Sequence, residues 1–343
     1  MDKIQFQCDY NEGAHPRILQ ALAETNLVQT PGYGEDCYCD EARAIIRDIC
    51  GRPDADVHFL TGGTQTNATV ISSILRPYQG VLCASSGHIN VHETGAIEHG
   101  GHKVLALPAK DGKISGRQIS DAMASHLAED GPEHMVQPGM VYISFPTEIG
   151  TVYSKEELRA IRQACDKYGL PLFIDGARLG YGLMSEACDL TIKDIADIAD
   201  VFYIGGTKQG ALFGEAVVIC RESLKKDFRY CIKQGGGMLA KGRLLGIQFK
   251  ELLRDGLYFT LAAKADTQAM RIRDAFKAKG YPFLVDSPTN QQFPILSTDD
   301  VRRLENDFVF SIWQTTDSGH IAVRFCTSWA TPDSSVDKLI DSI

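Results

Sequence analysis

At 343 residues, with 44% hydrophobic and 23% charged side chains, the chain has ample material for a core and not the composition of a disordered protein. Its formal net charge of -9 argues against a nucleic-acid or anionic-membrane surface, which calls for clustered lysine and arginine, and favours a small-molecule partner. No apolar run approaches a membrane span and the opening "MDKIQFQCDYNEGAHP" has no apolar signal core, so a cytoplasmic location is expected. Of the ten cysteines, Cys50, Cys83, Cys165, Cys220 and Cys326 fall in apolar or periodic stretches and read as reduced, small hydrophobes. Cys37 and Cys39 lack a matching second pair, and "HINVH" has zincin spacing without the central glutamate, so no metal is expected.

In chain order, "VHFL" (57–60) reads as a buried strand that leads through "TGGTQ" into the helical "TNATVISSIL". "GVLCA", "KVLAL" and "MVYISF" (140–145) are further strands. "SKEELRAIRQACDKYG" opens on a capping box, Ser154 with Glu157, lines up Leu158, Ile161, Cys165 and Tyr168 on one face, and stops at Gly169 and Pro171. "LFI" then ends at Asp175, "VFYI" (201–204) ends close to Lys208, and "AVVI" (216–219) follows. Such alternation predicts an α/β domain over residues 1–246, with a mostly parallel sheet flanked by helices. After about Gly246 a long helical stretch runs to "FKAKG". The strands "FLV", "FPIL", "FSIWQ" and "IAVRFCTSW" follow it, which predicts a smaller α+β domain over 247–343 packed against the first.

In a sheet of this kind ligands bind beyond the carboxyl ends of the strands. Four such places carry chemistry: "TGGTQTN" after Leu60, "PTE" after Phe145, "DGAR" after Ile174 and "GGTK" after Ile204. The first is a glycine-rich turn into a helix, where Gly63 and Thr64 could present amides to a phosphate. It is neither a Gly-x-Gly-x-x-Gly nor a P-loop motif, which disfavours a nucleotide. Asp175 is either ion-paired to Arg178, or capping the next helix, or an anion for the ring nitrogen of a heterocycle. Lys208 either reaches water from its tight turn or is kept for its amine. A phosphate cup, an aspartate and a lysine in this order are the set that pyridoxal phosphate needs.

The stretches "DYNEGAHPRIL", "GGTQTN", "SSGHINVHETGAIE", "FIDGARLG", "GGTKQGALFG" and "VRFCTSWAT" resemble the low-specificity L-threonine aldolases and their β-eliminating lyase relatives, within the aspartate aminotransferase fold. The resemblance runs from Asp9 to Ala330. It implies that Lys208 forms the Schiff base with pyridoxal 5'-phosphate, that Asp175 pairs with the ring nitrogen, and that Gly63, Thr64 and Thr207 serve the cofactor. It also implies that His88 stacks on the ring, its alternative role being a helix cap, and that Arg178 lies near cofactor or substrate. Arg324 takes the α-carboxylate. Its neighbours Val323 and Phe325 point to the other face, as for a buried arginine with an anionic partner. Two stretches depart from the family pattern. "SFPTEIG" puts Thr147 or Glu148 where a histidine is expected, and "FRYCIKQGGGM" leaves Arg229 and Lys233 out of register as phosphate contacts.

The activity implied is retro-aldol cleavage of L-threonine or a related β-hydroxy-α-amino acid to glycine and an aldehyde, with His88, Glu148 or a water taking the hydroxyl proton. The alternatives are β-elimination to pyruvate and ammonia, and transamination. A homodimer or homotetramer is expected, with no nucleic-acid or membrane partner.

Overall fold

The computed structural model describes residues 3–343. Its strands are β1 (Ile4–Gln5), β2 (Asp56–Leu60), β3 (Gln79–Ala84), β4 (Lys103–Leu107), β5 (Gln137–Ser144), β6 (Leu172–Asp175), β7 (Val201–Gly205), β8 (Glu215–Ile219), β9 (Gln291–Gln292), β10 (Ile295–Ser297), β11 (Phe308–Val309), β12 (Ser311–Thr315) and β13 (His320–Cys326). Seven of them form the large sheet, in the order β2-β8-β7-β6-β5-β3-β4. Helical crossovers keep β3 to β7 parallel, whereas β8 returns from β7 through the loop 206–214 and runs antiparallel to both β7 and β2. Alternation along each strand feeds two cores. Tyr142, Phe173 and Tyr203 face helix Gly63–Ile74, while Ile143, Ile174 and Phe202 face helices Cys37–Cys50, Lys155–Tyr168 and Arg243–Leu253.

The local signals of helix Lys155–Tyr168 are realised in full. Ser154 and Glu157 exchange hydrogen bonds as a capping box, Gly169 closes the helix at φ 68°, and Leu158, Ile161 and Cys165 are buried. The five cysteines in apolar stretches are buried too.

The carboxyl ends of β2, β3, β5, β6 and β7 open on one edge of the sheet. Because β8 runs the other way, it is the first residue of that strand, Glu215, that arrives at this edge, opposite Leu60 and Gly205.

The C-terminal part is an antiparallel sheet, β10-β13-β12 with β9 on β13, packed on helix Leu257–Ala278. Two expectations change here. The long helical stretch is broken: Asp255 at φ 58° and Gly256 at φ 70° separate helix Arg243–Leu253 from helix Leu257–Ala278, a left-handed pair that "RDG" can adopt and a continuous helix cannot. "FLV" is no strand, and only Phe283 makes an isolated bridge, to Pro294. We propose that the division between the two parts falls at this kink. Gly246 sits within helix Arg243–Leu253, so close to helix Cys37–Cys50 that an added Cβ would meet the Cys39 backbone at 2.6 Å. The N-terminal segment crosses over as well: β1 pairs with β11 in parallel, and Phe6 joins Phe276, Val323 and Phe325 in the small core.

Candidate active site

A cavity of about 310 Å³ lies at the sheet edge. It brings together Gly63, Thr64, His88, Glu148, Asp175, Arg178, Thr207 and Lys208, residues drawn from well-separated stretches of sequence. Helix Gly63–Ile74 starts at this cavity with Gly62 as its N-cap and no side-chain cap, so its first amides and the positive end of its dipole are free for an anion. Space at Gly63 is also tight, since a Cβ there would stand 3.3 Å from the Tyr203 hydroxyl.

Asp175, the last residue of β6, is buried and does not pair with Arg178. Its carboxylate accepts from Tyr142 Oη at 2.6 Å, Tyr203 Oη at 2.5 Å, Asn67 Nδ2 at 3.0 Å and its own Ala177 amide at 3.0 Å. Burial alone would raise its pKa, but the facing His88 and these donors outweigh it and hold the carboxyl below its usual range. The two tyrosines come from β5 and β7, the strands on either side of β6, which is why a hydroxyl reaches it from each flank. Lys208 follows β7 in the turn, with Nζ 6.0 Å from the centre of the Tyr10 ring. Burial and then the charge of Arg178 lower its ammonium, against the opposing pull of Asp9, Asp175 and Glu215. A lysine so placed loses its proton more readily than one in water, as Schiff-base chemistry requires.

His88 opens the short helix His88–Val91. Its Nδ1 lies 2.8 Å from Glu93 Oε1, and that same oxygen accepts from Asn67 Nδ2 at 2.7 Å. Asn67 therefore joins Glu93, the partner of His88, to Asp175. With Glu93 on Nδ1, the free imidazole nitrogen is Nε2. Of the two residues put forward in "SFPTEIG", Glu148 is the one that reaches the cavity. Its Oε1 accepts from the His88 amide at 2.8 Å and from Ser144 Oγ at 2.5 Å, and burial pushes its carboxyl up, with Asp175 adding to the rise. Thr147 instead turns to Thr151, at 2.7 Å.

Arg178 lines the cavity but is held in a bidentate pair with Asp9, at 2.7 and 2.9 Å. Burial would raise Asp9, yet Arg178 and Lys208 hold it at about 2, and Asn290 of the C-terminal part donates to the same carboxylate. This clamp ties the N-terminal segment, the large sheet and the small domain together. Arg324 lies off the cavity wall, on β13, with Val323 and Phe325 buried on the opposite face as expected. Its expected anionic partner is not found among the described residues. Nη1 donates to Gln291 Oε1 at 3.1 Å, Nη2 to the Gln7 carbonyl at 2.8 Å, and Nε is buried without an acceptor. The guanidinium lies 5.3 Å from the Trp313 ring, and His92 bridges Trp313 to His88. Arg229 and Lys233 do not line the cavity: Arg229 pairs with Glu35 at 2.9 Å and Lys233 sits 4.9 Å from the Tyr33 ring.

Reading the sequence missed Asp9, Asn67, Glu93, Tyr142, Tyr203 and Glu215. For the tyrosines a signal existed, a phenol hydroxyl in the largely apolar "MVYISF" and "VFYI".

The family model described as beta-eliminating lyase matches residues 8–298. The low specificity L-threonine aldolase of Pseudomonas sp. (strain NCIMB 10558) is 31% identical, over 99% of this chain and 96% of its own. The solved structure of Leishmania major threonine aldolase superposes with a TM-score of 0.96 at 45% identity, covering 98% of both chains. Thermus thermophilus aspartate aminotransferase, at 14% identity and TM-score 0.72 over 99% of this chain and 91% of its own, shares the fold.

Proposed function

From the premise that this chain belongs to the beta-eliminating lyase family, we infer that it is a pyridoxal-phosphate-dependent threonine aldolase. It cleaves L-threonine, and related β-hydroxy-α-amino acids, to glycine and an aldehyde. The observation that carries the reading is the placement of free helix amides, an ionised carboxylate and a desolvated lysine around one cavity, in a chain alike over its whole length to threonine aldolases.

The residues present fit the cofactor. Gly63, Thr64 and Thr207 would hold its phosphate, Lys208 its aldehyde carbon, and Asp175 the proton on its ring nitrogen, with His88 against the ring face. When bound, pyridoxal phosphate supplies an electron sink for the bond broken at the substrate's α-carbon. The protein supplies everything else. Arg324, whose Nη atoms meet neutral acceptors such as the Gln291 side chain and the Gln7 carbonyl, binds the substrate carboxylate and so orients which bond is broken. The β-hydroxyl proton leaves to a side chain near His88. Glu148 is that base when ionised, and its raised pKa makes it a stronger one than an exposed carboxylate. Glu93 fixes the His88 imidazole so that Nε2 faces outward from the pair.

The protein acts as a homo-oligomer in the cytoplasm. Leu27, Val28, Tyr33 and Tyr230 are exposed apolar residues, and Tyr33 lies against Arg229 and Lys233, which supports an apolar and basic contact surface there. No helix among the described residues is long and apolar enough to cross a membrane. The deciding experiment is product analysis with L-threonine, L-allo-threonine, L-serine and L-cysteine. Glycine with an aldehyde from the first two is expected. Pyruvate with ammonia from the last two, and no glycine, would transfer the protein to β-elimination. Borohydride reduction and peptide mapping should place the cofactor on Lys208, and label on another lysine would refute that assignment.

A further inference from the structure

Glu215 is a buried carboxyl of the cavity that the reaction leaves unused. It is the first residue of β8, opposite Leu60 of β2, which leads into the phosphate cup, and opposite Gly205 of β7, which leads to Lys208. Its Oε1 lies 2.7 Å from Thr207 Oγ1 and its Oε2 accepts from the Gly206 amide at 3.2 Å. Thr207 Oγ1 already accepts from the Gly214 amide at 3.0 Å, which leaves the hydroxyl one proton and one lone pair to share between Glu215 and the cavity. We propose that Glu215 is protonated in the working enzyme, donates to Thr207 Oγ1, and thereby frees the Thr207 hydroxyl to donate to the cofactor phosphate. Once ionised, Glu215 takes the Thr207 proton for itself, and the hydroxyl can offer the phosphate only a lone pair. The proposal rests on the reading that pyridoxal phosphate occupies this cavity.

The surroundings agree. Burial pushes the Glu215 carboxyl up to about 8, against the lowering effect of Thr207 and Lys208. The titratable groups that face it are Lys208 on the turn, Asp175 on β6, Tyr203 on β7 and Tyr258 on helix Leu257–Ala278. A second anion in the same cavity adds repulsion to the ionised form and none to the protonated one.

The test is cofactor affinity, measured by equilibrium binding on either side of about pH 8, for the wild type and Glu215→Gln. Each is measured with pyridoxal phosphate and with pyridoxal, which lacks the phosphate. Titration of the cofactor is common to both proteins, and the change that losing Glu215 brings to Lys208 is common to pyridoxal phosphate and pyridoxal, so comparing the two ligands removes it. Wild-type affinity for pyridoxal phosphate should fall relative to the variant above this pH, approaching about tenfold per pH unit as the limit for one linked proton. With pyridoxal only the part that Glu215 exerts through Lys208 should remain, a shallower dependence. Thr207→Val, whose fold does not depend on the glutamine, should bind the phosphate cofactor more weakly and without this pH-dependent component. A constant ratio for pyridoxal phosphate, or the same slope with pyridoxal, would overturn the proposal. Failure of the wild type to take up pyridoxal phosphate at all would instead overturn the cofactor reading beneath it.

Discussion

Asp175 and Glu215 stand at the same sheet edge, both buried, both in the cavity that holds Lys208, and they are kept in opposite states. Asp175 accepts four hydrogen bonds, two of them from tyrosines, and stays below the usual carboxylate range. Glu215, when ionised, has only two donors within reach, Thr207 and the Gly206 amide, and its pKa is raised to about 8. Burial acts on both in the same direction, so burial does not decide the charge. The donors do. Each one that an ionised carboxylate keeps offsets part of its desolvation, and two are not enough where four are. The cavity thus has an anionic end suited to a protonated ring nitrogen and a neutral end beside the amides suited to a phosphate.

The harshest way to break this contrast is Asp175→Asn, which leaves the side chain's size but removes its charge. Cofactor should remain bound through its phosphate and Lys208, while turnover drops about a hundredfold or more, the scale for losing one charged stabiliser from such a site. Steady-state rates together with the absorbance of bound cofactor would show it. Near-normal turnover would mean that the anionic end is structural only.

Glu148 sharpens the comparison, because it is a third buried carboxyl at this edge and lies between the two in character. Two donors reach one of its oxygens, yet its pKa is still raised. As a base it works only when ionised, so cleavage should decline as pH falls through a value above the ordinary carboxylate range. Glu148→Gln should cost about tenfold or more in cleavage and lose that acid limb, while glycine still binds. A retained acid limb in the variant would assign the limb elsewhere.

A gentler change is Tyr142→Phe, which removes one of the four donors to Asp175. The folded carboxyl should then titrate closer to its ordinary value. Turnover depends on the ionised form and should therefore fail earlier as pH falls, a severalfold loss on the acid side with little change near neutrality. An unchanged pH profile would show that three donors suffice.

The same contrast explains what could be foreseen from sequence. Lys208, Asp175, Gly63 and Thr64 each follow an apolar run, and a parallel sheet puts such residues at the ligand edge, so their position was legible. Glu215 precedes its run. It reaches the edge only because β8 is antiparallel, and strand direction is not written in hydrophobic periodicity. Asp9 and Asn67 act through partners far away in sequence, Arg178 and Asp175, and such pairing exists only once the chain is folded; Glu93 meets the nearby His88, but only because the chain turns between them. The break at Asp255 was hidden by strong helix formers on both sides, which carried the periodic pattern across a backbone that turns left-handed.

The mildest test concerns stability alone, and it asks whether Glu215 truly differs from Asp175 in the folded chain. Its carboxyl is raised from 4.5 to about 8, so between those values the folded protein binds a proton that the unfolded chain has released. Folding is therefore progressively disfavoured as pH rises through this window, and level with respect to this group above it. The opposite holds for Asp175, whose depressed pKa adds stability above its unfolded value that is lost as pH falls through the folded one. Glu215→Gln carries no such proton. In cofactor-stripped protein its melting temperature should gain on the wild type's as pH is raised from about 5 to about 8, and the gap should then stay constant. Two melting curves that shift in parallel across that window would mean that Glu215 ionises like an exposed carboxylate, and that the two ends of the cavity carry the same charge after all.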